Sequence, residues 1–140
     1  MTTESNSDSS SASNSESAAD NEAAVLTERQ GHLLIVTLNR PERKNAINGE
    51  MLVRMLDAFI EADTNPDIRA IVLTGAGGDF CSGADLIEMA GGHQGDVAPG
   101  EIDVPARLAA DPDLPWKALL RSWQPDVPII LAAEGAAIAG

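Results

Sequence analysis

The segment RAIVLTGAGGDFCSGADL, residues 69–86, decides how this 140-residue chain folds. Its first six residues, 69–74, are mostly aliphatic and are bounded by turn residues, which is typical of a short strand buried on both faces. Residues 75–84 follow as a glycine-rich loop, and residues 85–89 can begin a helix. Because glycine has no Cβ, such a loop lets backbone N–H groups approach a ligand closely. The segment therefore predicts a ligand-binding loop at the end of a buried strand.

Upstream of this segment, the sequence predicts a strand followed by a helix. Residues 31–39 (GHLLIVTLN) favour a strand, and Arg40-Pro41 ends it because proline has no N–H to donate. Asn48 is a suitable helix N-cap, and Asn65-Pro66 stops the helix. The helix would present one apolar face through residues at three- and four-residue steps: Leu52, Met55, Phe59 and Ala62. The order strand, helix, strand predicts an α/β crossover unit.

Downstream, the periodicity is weaker. Residues 91–113 are rich in glycine, proline and acids, and predict a long surface loop with at most one short helix near Pro105–Ala110. Pro115 suits the first turn of a further helix, expected to run to about residue 123. Residues 127–133 (VPIILAA) predict a third strand of the buried type.

Composition divides the chain into a tail and one domain. Residues 1–22 contain eight serines, five acids and neither lysine nor arginine, so they cannot bury enough apolar surface to offset the entropy of ordering. We expect this tail to be disordered and residues 23–140 to fold. The net charge of −13 argues against nucleic acid and anionic membranes as partners, because both require a basic patch.

The same composition excludes several kinds of site. A single cysteine, Cys81, excludes an internal disulfide and a cysteine-based zinc site, and its apolar surroundings favour a small core residue rather than a nucleophile. His32 and His93 lack ligand-like spacing, so no metal is expected. With no long apolar stretch and no signal-peptide pattern at the N-terminus, the chain is expected to be cytoplasmic.

Two glycine-rich turns follow predicted strands, at residues 75–84 and 135–140, and three chemistries use such turns. Gly75-Ala76-Gly77 begins a dinucleotide-binding GxGxxG motif, but residue 80 is phenylalanine where the third glycine belongs. Residues 135–140 fit the GxxxxG of a phosphate-binding P-loop. The third chemistry is an oxyanion hole, in which two backbone N–H groups converge on a developing negative oxygen.

Three segments, in order, resemble signature segments of the crotonase (enoyl-CoA hydratase/isomerase) superfamily. They are LNRPERKNAIN (38–48), IVLTGAGGDFCSGADL (71–86) and PIILAAEGAAIAG (128–140). The resemblance covers about residues 25–140. It implies an α/β fold of the crotonase-like ββα spiral type, of which residues 23–140 would be the N-terminal part, truncated at the C-terminal side.

The resemblance also implies an acyl-CoA site. Two backbone amides, those of Ala84 and Gly140, would bind the thioester oxygen as an oxyanion hole. The remaining contacts to coenzyme A are implied for two loops: Asp85, Leu86 and Ile87 in one, Arg43 and Ala46 in the other. The family needs no further cofactor, since the coenzyme A thioester is itself the substrate.

The activity implied is that of a lyase or isomerase of fatty-acid metabolism, which hydrates or isomerises an unsaturated acyl-CoA, and full-length members form trimers or hexamers. The two glutamates of the hydratases lie downstream of the Gly140 motif, so we expect residues 1–140 to be an inactive fragment. If the chain were active, Glu88 or Glu134 would be the first acids to consider. Two alternatives stay open: a P-loop nucleotide-binding protein cut inside its motif, or a non-catalytic partner of a full-length crotonase.

Overall fold

The computed structural model describes residues 23–85 and 101–138. The predictions for the tail 1–22, for the helix after Asp85, and for Leu86, Ile87 and Gly140 lie outside the described residues. The described residues form a four-stranded sheet in the order β1-β2-β3-β4, together with three α-helices. The strands are β1 Val25–Gln30, β2 Leu33–Leu38, β3 Ala70–Gly75 and β4 Ile129–Ala132. The helices are α1 Gly49–Thr64, α2 Val104–Ala110 and α3 Leu114–Ala118, and two 3₁₀ turns occupy Pro41–Arg43 and Ala76–Gly78.

The predicted crossover unit is confirmed. β2 and β3 pair in parallel, with Leu33 opposite Ala70, and α1 connects them. Asn48 caps α1, since its side-chain oxygen accepts a 2.9 Å hydrogen bond from the Met51 amide. The helix ends at Thr64, directly before Asn65-Pro66.

The core lies between the sheet and α1. Alternate residues of β2 and β3 are buried, as the two-residue period of a strand requires, and they are Leu34, Val36, Leu38, Ile71 and Leu73. Phe59 of α1 is fully buried, and α3 adds Leu114 and Ala118 to the same cluster. Burying each large aliphatic or aromatic side chain contributes about 1.5–3 kcal/mol to folding. This packing fixes the sheet, whose strand ends carry the loops of the candidate site.

β1 was missing from the sequence prediction. It forms an antiparallel hairpin with β2 through Gly31, which takes a φ of +58°, a value that favours glycine. Only Val25 of β1 is buried, and most of the strand is exposed. A polar strand of this kind lacks the apolar alternation by which strands are found in a sequence.

The predicted helix from Pro115 to about residue 123 is too long. α3 ends at Ala118, because Leu120 takes a left-handed φ of +59°. The Arg121 amide donates a 2.8 Å hydrogen bond to the Trp116 carbonyl, and so closes the helix with a C-terminal turn. Glycine normally occupies a left-handed position of this kind, so leucine there concealed the helix stop.

The third predicted strand exists as β4 but is not buried. It pairs in parallel with β3, and Ile130 and Leu131 are 53% and 56% exposed. Within residues 23–85 and 101–138, no strand pairs with its second edge. The short helix expected near residues 105–110 is confirmed as α2.

Among the described helices, none is long and apolar enough to cross a membrane.

Candidate functional site

Three chain segments lie side by side beyond the ends of β3 and β4. Ile47 and Ala84 form one parallel bridge, and Cys81 and Ala137 form another. In the second bridge, the Cys81 amide donates to the Ala136 carbonyl and the Ile138 amide donates to the Cys81 carbonyl, each at 2.9 Å. The glycine loop predicted to bind a ligand therefore runs between residues 45–48 on one side and residues 134–138 on the other.

The bridge to Ile47 determines where the Ala84 amide points. The Ile47 amide donates a 2.7 Å hydrogen bond to the Gly83 carbonyl, and the Asp85 amide donates a 2.8 Å hydrogen bond to the Ile47 carbonyl. A trans peptide group directs its C=O and N–H in opposite directions. Since the Gly83 carbonyl faces Ile47, the Ala84 N–H of the same peptide group faces away from Ile47. Ala84 is exposed, and its N–H has no hydrogen-bond acceptor within the described part of the chain.

Asp85, directly after Ala84, is buried in an ion pair. Its Oδ2 lies 3.2 Å from Nη2 of Arg40, and the two side chains are only 5% and 12% exposed. Nη1 of Arg40 donates a 2.6 Å hydrogen bond to the carbonyl of Ala46. The sequence prediction treated Arg40 only as the end of a strand and did not find this pair.

Asn45 is a second residue that the sequence prediction missed. It is fully buried and takes a left-handed φ of +56°, which asparagine tolerates better than most residues. Its Oδ1 accepts a 2.8 Å hydrogen bond from the Arg40 amide. Its Nδ2 donates to the carbonyls of Ala76 and Asp79, at 3.0 and 2.8 Å. The Asn45 side chain thus joins the loop after β2 to the glycine loop after β3.

Gly75 and Gly135 are required where these segments meet. A Cβ on Gly75 would overlap the Asp79 carbonyl and would lie 2.7 Å from the Phe80 carbonyl. Gly135 has a φ of +58°, and a Cβ there would lie 2.5 Å from Oδ1 of Asp79. The same Oδ1 accepts a 2.9 Å hydrogen bond from the Ala136 amide. Backbone therefore packs against backbone with no room for a side chain.

Of the predicted site residues, the structure brings four together. Arg43 and Ala46 belong to the loop after β2, which contacts the glycine loop that carries Ala84 and Asp85. Arg43 is exposed, and its carbonyl accepts a 3.2 Å hydrogen bond from the Ser82 hydroxyl. Leu86, Ile87 and Gly140 lie outside the described residues.

Cys81 is confirmed as a buried residue of the core. It is 1% exposed, and its sulfur accepts a 3.3 Å hydrogen bond from the Gly83 amide. In residues 23–85 and 101–138, no group of three or more His, Cys, Asp and Glu side chains could hold a metal ion.

The two nucleotide-binding alternatives do not match the described backbone. After Gly75 the chain makes a 3₁₀ turn and continues as an extended segment, whereas a dinucleotide-binding motif continues into a helix. Residues 136–138 run alongside Cys81 in the parallel bridge. A P-loop would instead turn its backbone amides around a phosphate.

Comparison with known proteins identifies one family. The sequence model of the enoyl-CoA hydratase/isomerase family matches residues 28–140. Enoyl-CoA hydratase EchA19 of Mycobacterium tuberculosis is 44% identical over 116 residues, which is 83% of this chain and 41% of that protein. The mitochondrial Delta(3,5)-Delta(2,4)-dienoyl-CoA isomerase of Rattus norvegicus is 39% identical over 88 residues, 63% of this chain and 26% of the isomerase.

Solved structures give the same result. The crystal structure of carnitinyl-CoA hydratase from Mycobacterium avium superposes with a TM-score of 0.64 at 33% identity, and the match covers 81% of this chain and 40% of that one. An enoyl-CoA hydratase from Mycobacterium tuberculosis superposes with a TM-score of 0.61 at 32% identity. The chain therefore spans about two fifths of the length of EchA19 and of these solved structures.

Proposed function

Because this chain belongs to the enoyl-CoA hydratase/isomerase family, we propose that the protein containing it binds an unsaturated acyl-CoA thioester and hydrates or isomerises it in fatty-acid metabolism. The observation that carries this proposal is the exposed Ala84 amide, whose direction is fixed by the bridge to Ile47. An N–H held in this way before a ligand arrives needs no reorganisation when charge develops on a thioester oxygen. Removing one such donor typically raises the reaction barrier by about 3–4 kcal/mol.

Gly140 is proposed as the second donor of the oxyanion hole. Cys81 and Ala137 are paired in parallel, and Ala84 lies three positions after Cys81 just as Gly140 lies three positions after Ala137. The matching offsets support the proposal that the two amides serve one oxygen. Two donors at one oxygen would stabilise an enolate more than either donor alone.

Coenzyme A is proposed to bind along the two loops that meet at the Ile47–Ala84 bridge. The guanidinium of Arg43 is exposed and would pair with the phosphates, which arginine binds through two parallel hydrogen bonds. Ala46 lies on the same loop. Asp85, Leu86 and Ile87 would follow the pantetheine and adenine portion on the other side.

Residues 1–140 alone are proposed to bind the thioester without turning it over. Proton transfer beside a thioester needs a carboxylate free to accept or donate a proton. The carboxylates within and directly after the glycine loop already have partners, since Asp79 accepts from the Ala136 amide and Asp85 pairs with Arg40. A longer protein of this family would supply further carboxylates, and its assembly into trimers or hexamers is part of the same proposal.

Titration calorimetry tests the ligand class. We expect crotonyl-CoA to bind, free coenzyme A to bind more weakly, and ATP with magnesium to give no heat of binding. Binding of ATP–magnesium together with indifference to crotonyl-CoA would refute the proposal in favour of a nucleotide-binding protein. Hydration of crotonyl-CoA by residues 1–140 would refute the absence of turnover and direct attention to Glu134, which follows β4 and is exposed.

A further inference from the structure

Arg40 is the residue at which the two loops of the proposed site are joined. Its guanidinium contacts two acceptors at once: the Ala46 carbonyl through Nη1, and the Asp85 carboxylate through Nη2. Its backbone is fixed as well, because the Arg40 amide donates to Oδ1 of Asn45 and the Arg40 carbonyl accepts from the Asn45 amide, both at 2.8 Å. The side chain therefore projects from an ordered backbone into a buried position.

A buried ion pair of this kind is a poor source of stability. The cost of removing both charges from water largely cancels their attraction, so an apolar pair of similar size would often stabilise a fold as well or better. What the guanidinium offers instead is geometry. Its planar fork places two acceptors at a fixed separation and in one plane, which a lysine ammonium does not do.

The two acceptors belong to the two chain segments that meet at the Ile47–Ala84 bridge. Ala46 directly precedes Ile47, whose amide and carbonyl form the bridge to residues 83–85. Asp85 directly follows Ala84 and donates its own amide to Ile47. Gly83, with a φ of +104°, could otherwise let the peptide group between Gly83 and Ala84 rotate. The Arg40 guanidinium holds both Ala46 and Asp85, which are the neighbours in sequence of the bridged residues Ile47 and Ala84. It therefore restrains both segments of the bridge.

We propose that Arg40 is a positioning residue of the thioester site: by joining Ala46 to Asp85, it fixes the direction of the Ala84 N–H towards the thioester oxygen. This inference rests on the proposed function, since it assumes that Ala84 is an oxyanion donor. In this proposal Arg40 donates no hydrogen bond to the thioester. It acts through the backbone that its two partners hold.

The test compares four variants with the unmodified protein: Arg40→Gln, Arg40→Lys, Asp85→Asn, and the double variant Arg40→Gln/Asp85→Asn. Arg54→Gln is the matched control, because it removes an ion pair with Glu50 that is partly exposed and lies outside the proposed site. Thermal unfolding first establishes that each variant folds cooperatively. If Arg40→Gln does not fold, Arg40→Lys and Asp85→Asn carry the comparison.

Two readouts separate positioning from a general structural role. Amide hydrogen exchange of Ile47 and Asp85 in the ligand-free protein reports whether the bridge is ordered. The infrared stretch of butanoyl-CoA carrying ¹³C in its thioester carbonyl reports how strongly the bound carbonyl is polarised. Dissociation constants for butanoyl-CoA and for free coenzyme A complete the set.

We expect the unmodified protein and Arg54→Gln to lower the carbonyl stretch frequency on binding, and Arg40→Gln to abolish most of that shift. Exchange at Ile47 and Asp85 should accelerate about tenfold or more in Arg40→Gln, as expected for the loss of about one hydrogen bond's worth of local stability. Arg40→Lys should fall between the two, since an ammonium keeps the charge but lacks the planar fork that fixes both acceptors. The double variant should be no worse than Arg40→Gln, because both changes break one connection.

An unchanged carbonyl shift in Arg40→Gln, Arg40→Lys and Asp85→Asn would overturn the inference and leave the proposed function standing. Equal loss of affinity for butanoyl-CoA and coenzyme A with the shift intact would do the same, because it would show a merely structural role. If the unmodified protein binds no butanoyl-CoA, the proposed function fails, and the inference fails with it.

Discussion

The side-chain nitrogen of Asn45 donates a 2.8 Å hydrogen bond to the carbonyl oxygen of Asp79. The two residues lie on loops that follow different strands, and Asn45 also bonds the Ala76 carbonyl and the Arg40 amide. One buried side chain therefore satisfies polar backbone groups at both sides of the proposed thioester site. Because Asn45 is fully buried and these groups are partly buried, their hydrogen bonds depend largely on that side chain.

Asn45→Ala should strongly destabilise the protein. It leaves one amide and two carbonyls, all partly buried, without their partner, and an unsatisfied buried group costs about 1–3 kcal/mol. The left-handed backbone adds roughly 1 kcal/mol of strain for alanine. We expect a loss of about 3–5 kcal/mol, measured by urea unfolding.

Asn65→Ala is the matched control for this change. Its side chain accepts one hydrogen bond, from the Asp67 amide, in an exposed turn. Water replaces such a bond, so the expected loss is below about 1 kcal/mol. Equal losses from the two asparagines would mean that the Asn45 bonds do not join the loops as described.

Gly75→Ala should disrupt the same junction by a steric route. The added methyl would overlap the Asp79 carbonyl and approach the Phe80 carbonyl and Nδ2 of Asn45, at 2.7 and 2.8 Å. Backbone atoms cannot move aside as a flexible side chain can, so the loop must shift. We expect a loss of about 2 kcal/mol or more in unfolding free energy, together with weaker binding of crotonyl-CoA.

Gly31→Ala separates this clash from the intrinsic cost of replacing glycine. A methyl at Gly31 meets no atom within 4 Å, although its φ of +58° strains any other residue. The expected cost is about 1 kcal/mol, and crotonyl-CoA binding should not change. A larger loss at Gly31 than at Gly75 would contradict the packing described here.

The ion pair between Arg107 of α2 and Asp57 of α1 should contribute little to stability, and equally across a wide pH range. The two contacts measure 2.6 and 3.1 Å, and both side chains are more than two fifths exposed. The hydrogen bond to Asp57 raises the pKa of Arg107 above the ordinary arginine value. Because the pKa of Arg107 is higher in the folded state, the ion pair contributes its full stability at any pH below the unfolded-state pKa. That stability is lost only as the pH rises through the folded-state pKa.

Arg107→Gln should therefore cost about 0.5 kcal/mol, unchanged from pH 6 to pH 10, and less in 1 M salt. Urea unfolding at four pH values and two salt concentrations measures this. Arg107→Lys keeps the charge without the two-pronged contact and should lie between the two proteins. A cost that varies with pH between 6 and 10 would show that another titrating group governs the variant.

The elements that the sequence predicts correctly are those with an apolar period. β2, α1 and β3 each bury a regular set of residues, so strand alternation or helix spacing is enough to predict them. β1 is mostly polar, and α3 ends at a left-handed leucine, so neither feature leaves a recognisable pattern. Local sequence rules contain no signal for either.

The residues of the proposed site also divide into those that the sequence predicted and those that it missed. The resemblance of motifs predicted Ala84, Asp85, Arg43 and Ala46, and the structure brings together the two loops that carry them. Arg40 and Asn45 were missed because their roles depend on contacts with residues that are distant in the sequence, Asp85 and Asp79. The asparagine at position 45 was only a weak signal of the left-handed φ that the structure shows, since asparagine is favoured in turns generally.

The most direct prediction concerns the Ala84 amide itself, and Cys81 makes it accessible. Cys81 is the one cysteine of the chain, so a synthetic peptide of residues 81–140 can be ligated to residues 1–80 at that position. Replacing the Ala84 peptide N–H by an ester oxygen in that peptide deletes one hydrogen-bond donor and keeps the side chain. Since the Gly83 carbonyl still faces the Ile47 amide, the bridge should survive with only a modestly weaker acceptor.

The ester protein should bind crotonyl-CoA about tenfold more weakly than the all-amide product of the same ligation, which is the worth of about one hydrogen bond. Binding of free coenzyme A should be unchanged, because it has no thioester carbonyl to lose a donor. Calorimetry on both refolded products measures the two affinities. Equal weakening for both ligands would trace the effect to the loop rather than to the carbonyl, and unaltered crotonyl-CoA binding would remove Ala84 from the oxyanion hole.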